Sequence, residues 1–187
     1  MSTLADRWDA YANQPELHVC SLPETTKATV ERILDIMPAA GHVLDLGCGP
    51  GRLAVPVADT APDLHVIGLD ISPRMLARAA YPPPVRYILG DGEHAVGPID
   101  GAWSVFLFQH LNVGLAAGYL FDLFQHLNPG APLLVQFIVG DHHVDLDHRY
   151  RPTELTGLAE AAGFVDVTAA PDDTIPDWWW LTARRPT

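Results

Sequence analysis

Asp45 and three glycines at alternate positions, Gly47, Gly49 and Gly51, end an apolar run in the segment VLDLGCGPG. Glycines at this spacing let the backbone turn sharply and pass close to a ligand, because no Cβ stands in the way. A helix that begins near Arg52 would direct its N-terminal amides and its dipole at the same ligand. A tight turn from a strand into a helix, with no ligand, is the alternative interpretation of these glycines alone.

Two further acids end apolar runs in the same manner. Asp70 ends one run in VIGLDIS, and Asp91 ends another in ILGDGEH. A carboxylate at the position of Asp70 can accept hydrogen bonds from both hydroxyls of a ribose. One such acid could merely cap the next element, but three acids at the ends of successive predicted strands favour a nucleoside site.

The elements that would position these residues alternate along the chain. Strands are predicted at 42–47, 64–71, 85–90, 99–106, 132–139, 164–169 and 178–185. Helices are predicted at 24–37, 51–60, 73–80, 113–127 and 152–162. Several strands are continuous hydrophobic runs, which is typical of strands buried on both faces. The alternation predicts an α/β fold with a doubly wound, mostly parallel sheet and helices on both faces. Since AAPDDTIPD leaves no room for a crossover helix, the last two strands should be antiparallel.

Composition limits the class of protein. A chain of 187 residues is long enough for one domain with a large core. The first residues, MSTLADRWDA, have neither a basic start nor an apolar core, so we expect a cytoplasmic protein with no membrane partner. Cys20 and Cys48 lack CxxC spacing, which predicts free thiols and no metal site. The net charge of −12 disfavours a nucleic-acid partner.

The motif DLGCGPG resembles, nearly letter for letter, the glycine motif of the class I S-adenosylmethionine-dependent methyltransferases. The resemblance continues through IDGAWSVFLFQHL, HLNPGAPLLV and the last helix and strands, roughly residues 24–185. It implies a seven-stranded Rossmann-like sheet in the order 3-2-1-4-5-7-6, with strand seven antiparallel. Residues 24–187 would form the cofactor-binding domain, and residues 1–23 would form a lid or helical segment over it.

The resemblance also implies a set of residues that contact S-adenosylmethionine: Asp45, Gly47, Gly49, Gly51, Asp70, Ile71, Met75, Asp91, Gly92, Glu93, Val105 and Tyr11. In this set Asp45 and the glycine loop would hold the methionine portion, Asp70 the ribose, and Asp91 the adenine amino group. Tyr11 has an alternative role, in which an amphipathic helix docks Trp8 and Tyr11 on the core.

We expect direct in-line methyl transfer to a small-molecule acceptor, because the sulfonium donor is already activated and the protein mainly aligns the reactants and excludes water. Many relatives have asparagine or another polar residue where this chain has Val105, and the chain has no NPPY-like motif. Methylation of amino groups in nucleic-acid bases or in protein glutamine is therefore disfavoured. His110, after the fourth predicted strand, is a candidate general base, or else a histidine that packs at the start of the next helix.

Two other functions remain open at this stage. A non-catalytic subunit would bind S-adenosylmethionine and regulate a partner. A nicotinamide-dependent oxidoreductase also has a glycine loop and a later acid, but GxGxxG begun at Gly47 requires glycine where the chain has Arg52. No GK[ST] follows the glycines, so a P-loop is excluded.

Two further segments carry side chains outside this set. The segment 141–150 carries side chains that could bind a divalent metal: His142, His143, Asp145, Asp147 and His148. Metal-dependent small-molecule members of the family place acids at the end of strand four, where SVFLFQH has none, so we expect a solvated loop. The run Trp178–Trp180 alternates sides if it is a strand, which leaves a homodimer through this edge open.

Overall fold

The computed structural model of the chain describes residues 4–12, 23–79, 85–90, 97–140 and 148–187. Its strands are β1 (Gly41–Leu46), β2 (Leu64–Asp70), β3 (Arg86–Leu89), β4 (Gly101–Ser104), β5 (Pro132–Ile138), β6 (Val165–Pro171) and β7 (Trp178–Arg184). Its helices are α1 (Leu4–Tyr11), α2 (Pro23–Ile36), α3 (Ala54–Thr60), α4 (Pro73–Leu76), α5 (Val113–His126) and α6 (Pro152–Ala162). A 3₁₀ turn at Phe108–His110 follows β4.

The seven strands form one sheet in the order β3-β2-β1-β4-β5-β7-β6. All neighbours are parallel except β5 with β7 and β6 with β7, which are antiparallel. The predicted fold class, strand order and antiparallel last pair are confirmed. The carboxyl ends of the parallel strands therefore share one edge of the sheet, where the strand order reverses between β1 and β4.

The core lies in two layers, one on each face of the sheet. Successive residues of β1 face opposite layers: Val43 packs in the cluster that includes Ile33 of α2, and Leu44 packs in the cluster that includes Leu120 of α5. Every residue of β5 is buried, as expected for a strand covered on both faces. This packing fixes the central strands that carry the loops of the functional edge.

Two helices are shorter than the sequence predicts. The predicted helix 51–60 begins only at Ala54, after the N-cap residue Leu53, and Gly51, with φ +78°, lies outside the helical region. The predicted helix 73–80 ends at Leu76, since the following amides of Arg78 and Ala79 bond to carbonyls three residues back. In the described part of the chain, no helix is both long and apolar enough to cross a bilayer.

Candidate functional site

A cavity of about 580 Å³, open to solvent, lies at the carboxyl edge of the sheet. Gly47 and Gly49 form its floor, Asp70 stands at one side, and Trp8 and Phe106 form other parts of the wall. Separate segments of the chain therefore converge on one site, among them the loop after β1, the end of β2, the residues after β4, and helix α1.

The glycine loop is held by the backbone of the neighbouring strand. The amides of Gly47 and Cys48 donate to the Leu69 carbonyl at 2.8 and 3.1 Å. Gly51 has φ +78°, and a Cβ there would collide with the hydroxyl of Tyr87. Gly49 has φ +53°, and nothing lies within 4 Å of where its Cβ would be. Gly51 is thus required for packing, whereas Gly49 leaves open space on the cavity side.

Asp70 is oriented by two backbone amides. Its Oδ2 accepts from the Gly49 amide at 2.8 Å, and its Oδ1 accepts from the Ser72 amide at 2.8 Å. Each oxygen of a carboxylate has a second lone pair, so both can still accept a hydrogen bond from a ligand. Burial raises the pKa of Asp70 above its ordinary value, although the amides of Ser72 and Gly49 act to lower it.

Asp45 lies beneath the loop. Its side chain is buried, and it is not among the residues that line the cavity. Burial, and secondarily the negative charge of Asp70, raise the pKa of Asp45 to about 8. The carboxyl group therefore holds its proton at neutral pH, so that a second negative charge is avoided next to Asp70.

The end of β4 contributes an aromatic wall. Phe106 has φ +59°, an uncommon conformation for a residue with a Cβ, and its ring packs edge-on against Trp178 at 4.6 Å. Phe106 and Leu107 line the cavity, whereas Val105 is 6% exposed and packs in the core layer of α2. Ser104 donates through Oγ to the Leu46 carbonyl at 2.9 Å, which ties β4 to the end of β1.

Helix α1 lies over the cavity and presents Trp8 to it. The Trp8 ring contacts His110 edge-on at 4.6 Å and Tyr11 edge-on at 5.3 Å. His110 Nε2 is 3.1 Å from Gln109 Nε2, and neither His110 nor Tyr11 lines the cavity. Tyr11 and His110, the two candidates from the sequence, therefore lie beside Trp8, and Trp8 itself lines the cavity.

The structure brings most of the described candidates to the same edge. Gly47, Gly49, Asp70, Ile71 and Met75 line the cavity. Several candidates lie outside the described residues: Asp91, Gly92, Glu93, His142, His143, Asp145 and Asp147. Within the described ranges, no group of three or more His, Cys, Asp or Glu side chains could hold a metal ion.

Other residues of the site did not enter the sequence-based set. Phe106, Leu107 and Tyr119 line the cavity, and Ser72 supports Asp70 from behind. Ser72 had a sequence signal, since serine before proline is typical of a helix N-cap, and its Oγ does accept from the Met75 amide at 3.1 Å. The three lining residues are apolar or aromatic residues next to buried elements, a pattern that does not separate cavity wall from core.

The described residues fit a nucleoside that carries a ribose diol. Gly49 leaves space for a ligand against the backbone, and the two oxygens of Asp70 retain lone pairs for two hydroxyls. Ile71 and Met75 add apolar surface beside this carboxylate.

Comparisons with known proteins agree with this fit. Residues 43–130 match the family model described as a methyltransferase domain. The chain is 34% identical over 143 residues to the biotin biosynthesis bifunctional protein BioCD of Bordetella avium, a match that covers 71% of this chain and 30% of that protein. It is 31% identical over 153 residues to the malonyl-[acyl-carrier protein] O-methyltransferase of Dechloromonas aromatica, which covers 73% of this chain and 56% of that one. It is also 37% identical over 110 residues to the trans-aconitate 2-methyltransferase of Deinococcus radiodurans, which covers 58% of this chain and 41% of that one.

The fold is shared with solved structures at lower identity. The magnesium protoporphyrin IX methyltransferase of Synechocystis PCC 6803, with bound S-adenosylhomocysteine, superimposes with a TM-score of 0.72 at 17% identity over 99% of this chain and 88% of that one. The matches cover only 30%, 56% and 41% of the lengths of the three curated relatives described above.

Proposed function

The chain belongs to the class I S-adenosylmethionine-dependent methyltransferases, and on that premise we propose that it binds S-adenosylmethionine and methylates a small-molecule acceptor. The observation that carries the proposal is the geometry of Asp70, whose two oxygens are fixed by the Gly49 and Ser72 amides at 2.8 Å each. A carboxylate held in this way at the end of β2, beside a glycine floor, can accept both hydroxyls of the cofactor ribose.

The other cofactor contacts follow from the position of Asp70. The Gly47–Gly51 loop would hold the methionine portion, above the buried Asp45. Ile71 and Met75, which line the cavity next to Asp70, would contact the adenine. We retain Asp91, Gly92, Glu93, Val105 and Tyr11 as further proposed cofactor residues on the family resemblance.

S-adenosylmethionine supplies an activated methyl group, and transfer to a nucleophile leaves S-adenosylhomocysteine. The residues of this chain therefore have to orient the two reactants and exclude water rather than activate the donor. Trp8 and Phe106 contribute apolar surface to the cavity wall and would help to exclude water from the bound reactants. We propose that segment 1–23 acts as a lid, since α1 places Trp8 over the site.

His110 is the proposed general base for an acceptor that must lose a proton. It is half-buried on the 3₁₀ turn after β4, and its ring contacts Trp8 at the cavity wall. Its ring does not line the cavity, so this role requires an acceptor that reaches the imidazole beside Trp8. A carboxylate acceptor is already ionised at neutral pH and would need no base.

The choice of acceptors to test can start from the relatives. The names of two of them specify malonyl-[acyl-carrier protein] and trans-aconitate as the methylated compounds. We therefore place small organic acids and malonyl-[acyl-carrier protein] first in an acceptor panel for this chain. Hydroxyl and thiol compounds follow, because His110 could serve as their base.

The first test is calorimetric titration of the purified protein with S-adenosylmethionine and S-adenosylhomocysteine, with NAD as the control. Saturable one-to-one binding of the two sulfur nucleosides alone is expected. Binding of NAD alone would refute the assignment of the site. Release of S-adenosylhomocysteine with a member of the panel would then separate an enzyme from a subunit that only binds the cofactor.

A further inference from the structure

Asp9 joins helix α1 to the segment that follows β2. Its Oδ1 accepts a hydrogen bond from the Ser72 hydroxyl at 2.5 Å and another from the Arg74 amide at 3.2 Å. The Nε of Arg74 lies 3.9 Å from Asp9 Oδ2. Further along, Arg78 donates to the carbonyl of Ala12 at 2.6 Å. These contacts hold the C-terminal half of α1 against α4.

Ser72 connects Asp9 to the candidate site, because it is hydrogen-bonded to both Asp9 and Asp70. It is completely buried, and its Oγ accepts from the Met75 amide at 3.1 Å while its single hydroxyl proton goes to Asp9. Both functions of the hydroxyl are therefore used, and its orientation is fixed. The amide of the same residue donates to Asp70 Oδ1 at 2.8 Å.

The hydrogen bonds form a continuous series from α1 to the glycine loop. Asp9 is bonded to Ser72, Ser72 to Asp70, and Asp70 to Gly49. The outer end of the series lies 63 residues from Ser72 in sequence, so the N-terminal helix acts here on a part of the chain to which it is not adjacent. A shift of Ser72 would move the amide that orients Asp70, even though Asp9 does not line the cavity.

We propose that Asp9 is a positioning residue of the donor site, which holds Ser72 and through it the carboxylate that binds the ribose. This inference rests on the proposed function. Without the Asp9 acceptor, the Ser72 hydroxyl keeps only its bond from the Met75 amide, and the segment that carries the Ser72 amide is held less firmly against Asp70 Oδ1. Ligands that carry the ribose diol are then bound by a less ordered acceptor.

The test measures the affinity and the dissociation rate of S-adenosylhomocysteine for the full chain and its variants. Asp9→Ala should raise the dissociation constant roughly 10-fold, the order expected for loss of one charge-assisted hydrogen bond, mainly through faster dissociation. Asp9→Asn should remain within about 3-fold of the wild type, because its amide oxygen still accepts from the Ser72 hydroxyl. Asp6→Ala is the matched control, since Asp6 is an exposed carboxylate on the same helix and should leave the affinity unchanged.

A double-mutant cycle separates positioning from simple coverage of the cavity. In an Asp70→Ala background, Asp9→Ala should cause no further loss of affinity, because the group it positions is absent. An undiminished 10-fold loss in that background would show that α1 acts only as a cover and would overturn the proposal. If Asp9→Ala does not fold, Asp9→Glu takes its place, since it keeps the charge and displaces the contact.

The outcomes for the wild type and the variant are distinguishable. A wild-type protein that binds neither S-adenosylmethionine nor S-adenosylhomocysteine contradicts the proposed function itself. A wild type that binds both, with a folded Asp9→Ala variant of equal affinity, contradicts only the role of Asp9.

Discussion

Replacement of Asp70 by alanine is the most direct test of the donor site. The side chain is held at both oxygens by the amides of Gly49 and Ser72, so it is preorganised and loses little freedom when a ligand binds. Alanine removes the proposed acceptor of both ribose hydroxyls and leaves the amides of Gly49 and Ser72 without their carboxylate partner. Water can solvate these amides in the variant, and this solvation offsets part of the lost binding free energy.

The size of the effect follows from the charge of the acceptor. Hydrogen bonds to a charged group contribute about 1.5–3 kcal/mol, and partial replacement by water reduces the sum for two of them. We therefore expect donor binding to weaken by about 1–3 kcal/mol, or roughly a 5- to 150-fold rise in Kd. The fold should persist, because the variant also removes a carboxylate whose pKa is raised by burial.

The assay is calorimetric titration with S-adenosylhomocysteine, accompanied by urea unfolding of the apo protein. Asp63→Ala is the control, because Asp63 is exposed just before the opposite end of β2 and its removal changes the net charge equally. An Asp70→Ala protein that is folded and retains the wild-type affinity would refute the placement of the ribose. Equal losses of affinity in both variants would attribute the effect to net charge instead.

Three further predictions concern the loop, the buried acid and the candidate base. Gly51→Ala should destabilise the fold by about 2 kcal/mol or more in urea unfolding, since it combines a positive φ with a collision with Tyr87. Gly49→Ala should destabilise the fold less, by about 1 kcal/mol, because only its positive φ of +53° is strained, and it should also reduce donor affinity, because its methyl group enters open space. The pKa of Asp45 is raised to about 8, so folding retains a proton there, and the free energy of unfolding should fall as pH rises from about 4 to about 8. Asp45→Asn, which stays neutral, should flatten that decline, and an identical pH profile in the two proteins would contradict the assignment. His110→Ala should lower the turnover rate with donor Kd unchanged if it is the base, whereas parallel losses of Kd and Tm would show that its ring only supports the cavity wall.

The sheet could be predicted because its buried strands stand out in the sequence as continuous apolar runs. Runs such as PLLVQFIV and LHVIGLDI are apolar on both faces, and both became central strands within a residue or two of their expected bounds. Asp70 could be singled out for the same reason, since a charged residue that ends a buried strand is exceptional. Helix ends were less predictable, because Gly51 adopts a positive φ that the sequence alone does not require.

Contacts between distant segments could not be predicted from the sequence. Nothing in RWDAYANQ indicates that Trp8 rather than Tyr11 faces the cavity, because both are aromatic residues of one short helix. The bond between Asp9 and Ser72 depends on how α1 docks, and neither residue is part of a local pattern that predicts the other. The sequence likewise predicts that Phe106 belongs to a strand. In the structure Phe106 follows β4, has a positive φ, lines the cavity and contacts Trp178.

The two sides of the cavity differ in the chemistry that they offer. The side formed by β1 and β2 presents backbone amides and the Asp70 carboxylate, which recognise a ligand by directed hydrogen bonds. The described part of the opposite side presents Trp8, Phe106 and Leu107, which recognise mainly shape. Apolar walls separate ligands that differ by one methylene by only about 1–3 kcal/mol, whereas sites that hydrogen-bond a polar group discriminate far more strongly. The donor should therefore be selected stringently and the acceptor more loosely on the aromatic side, so acceptor selectivity is the property most open to change by substitutions there.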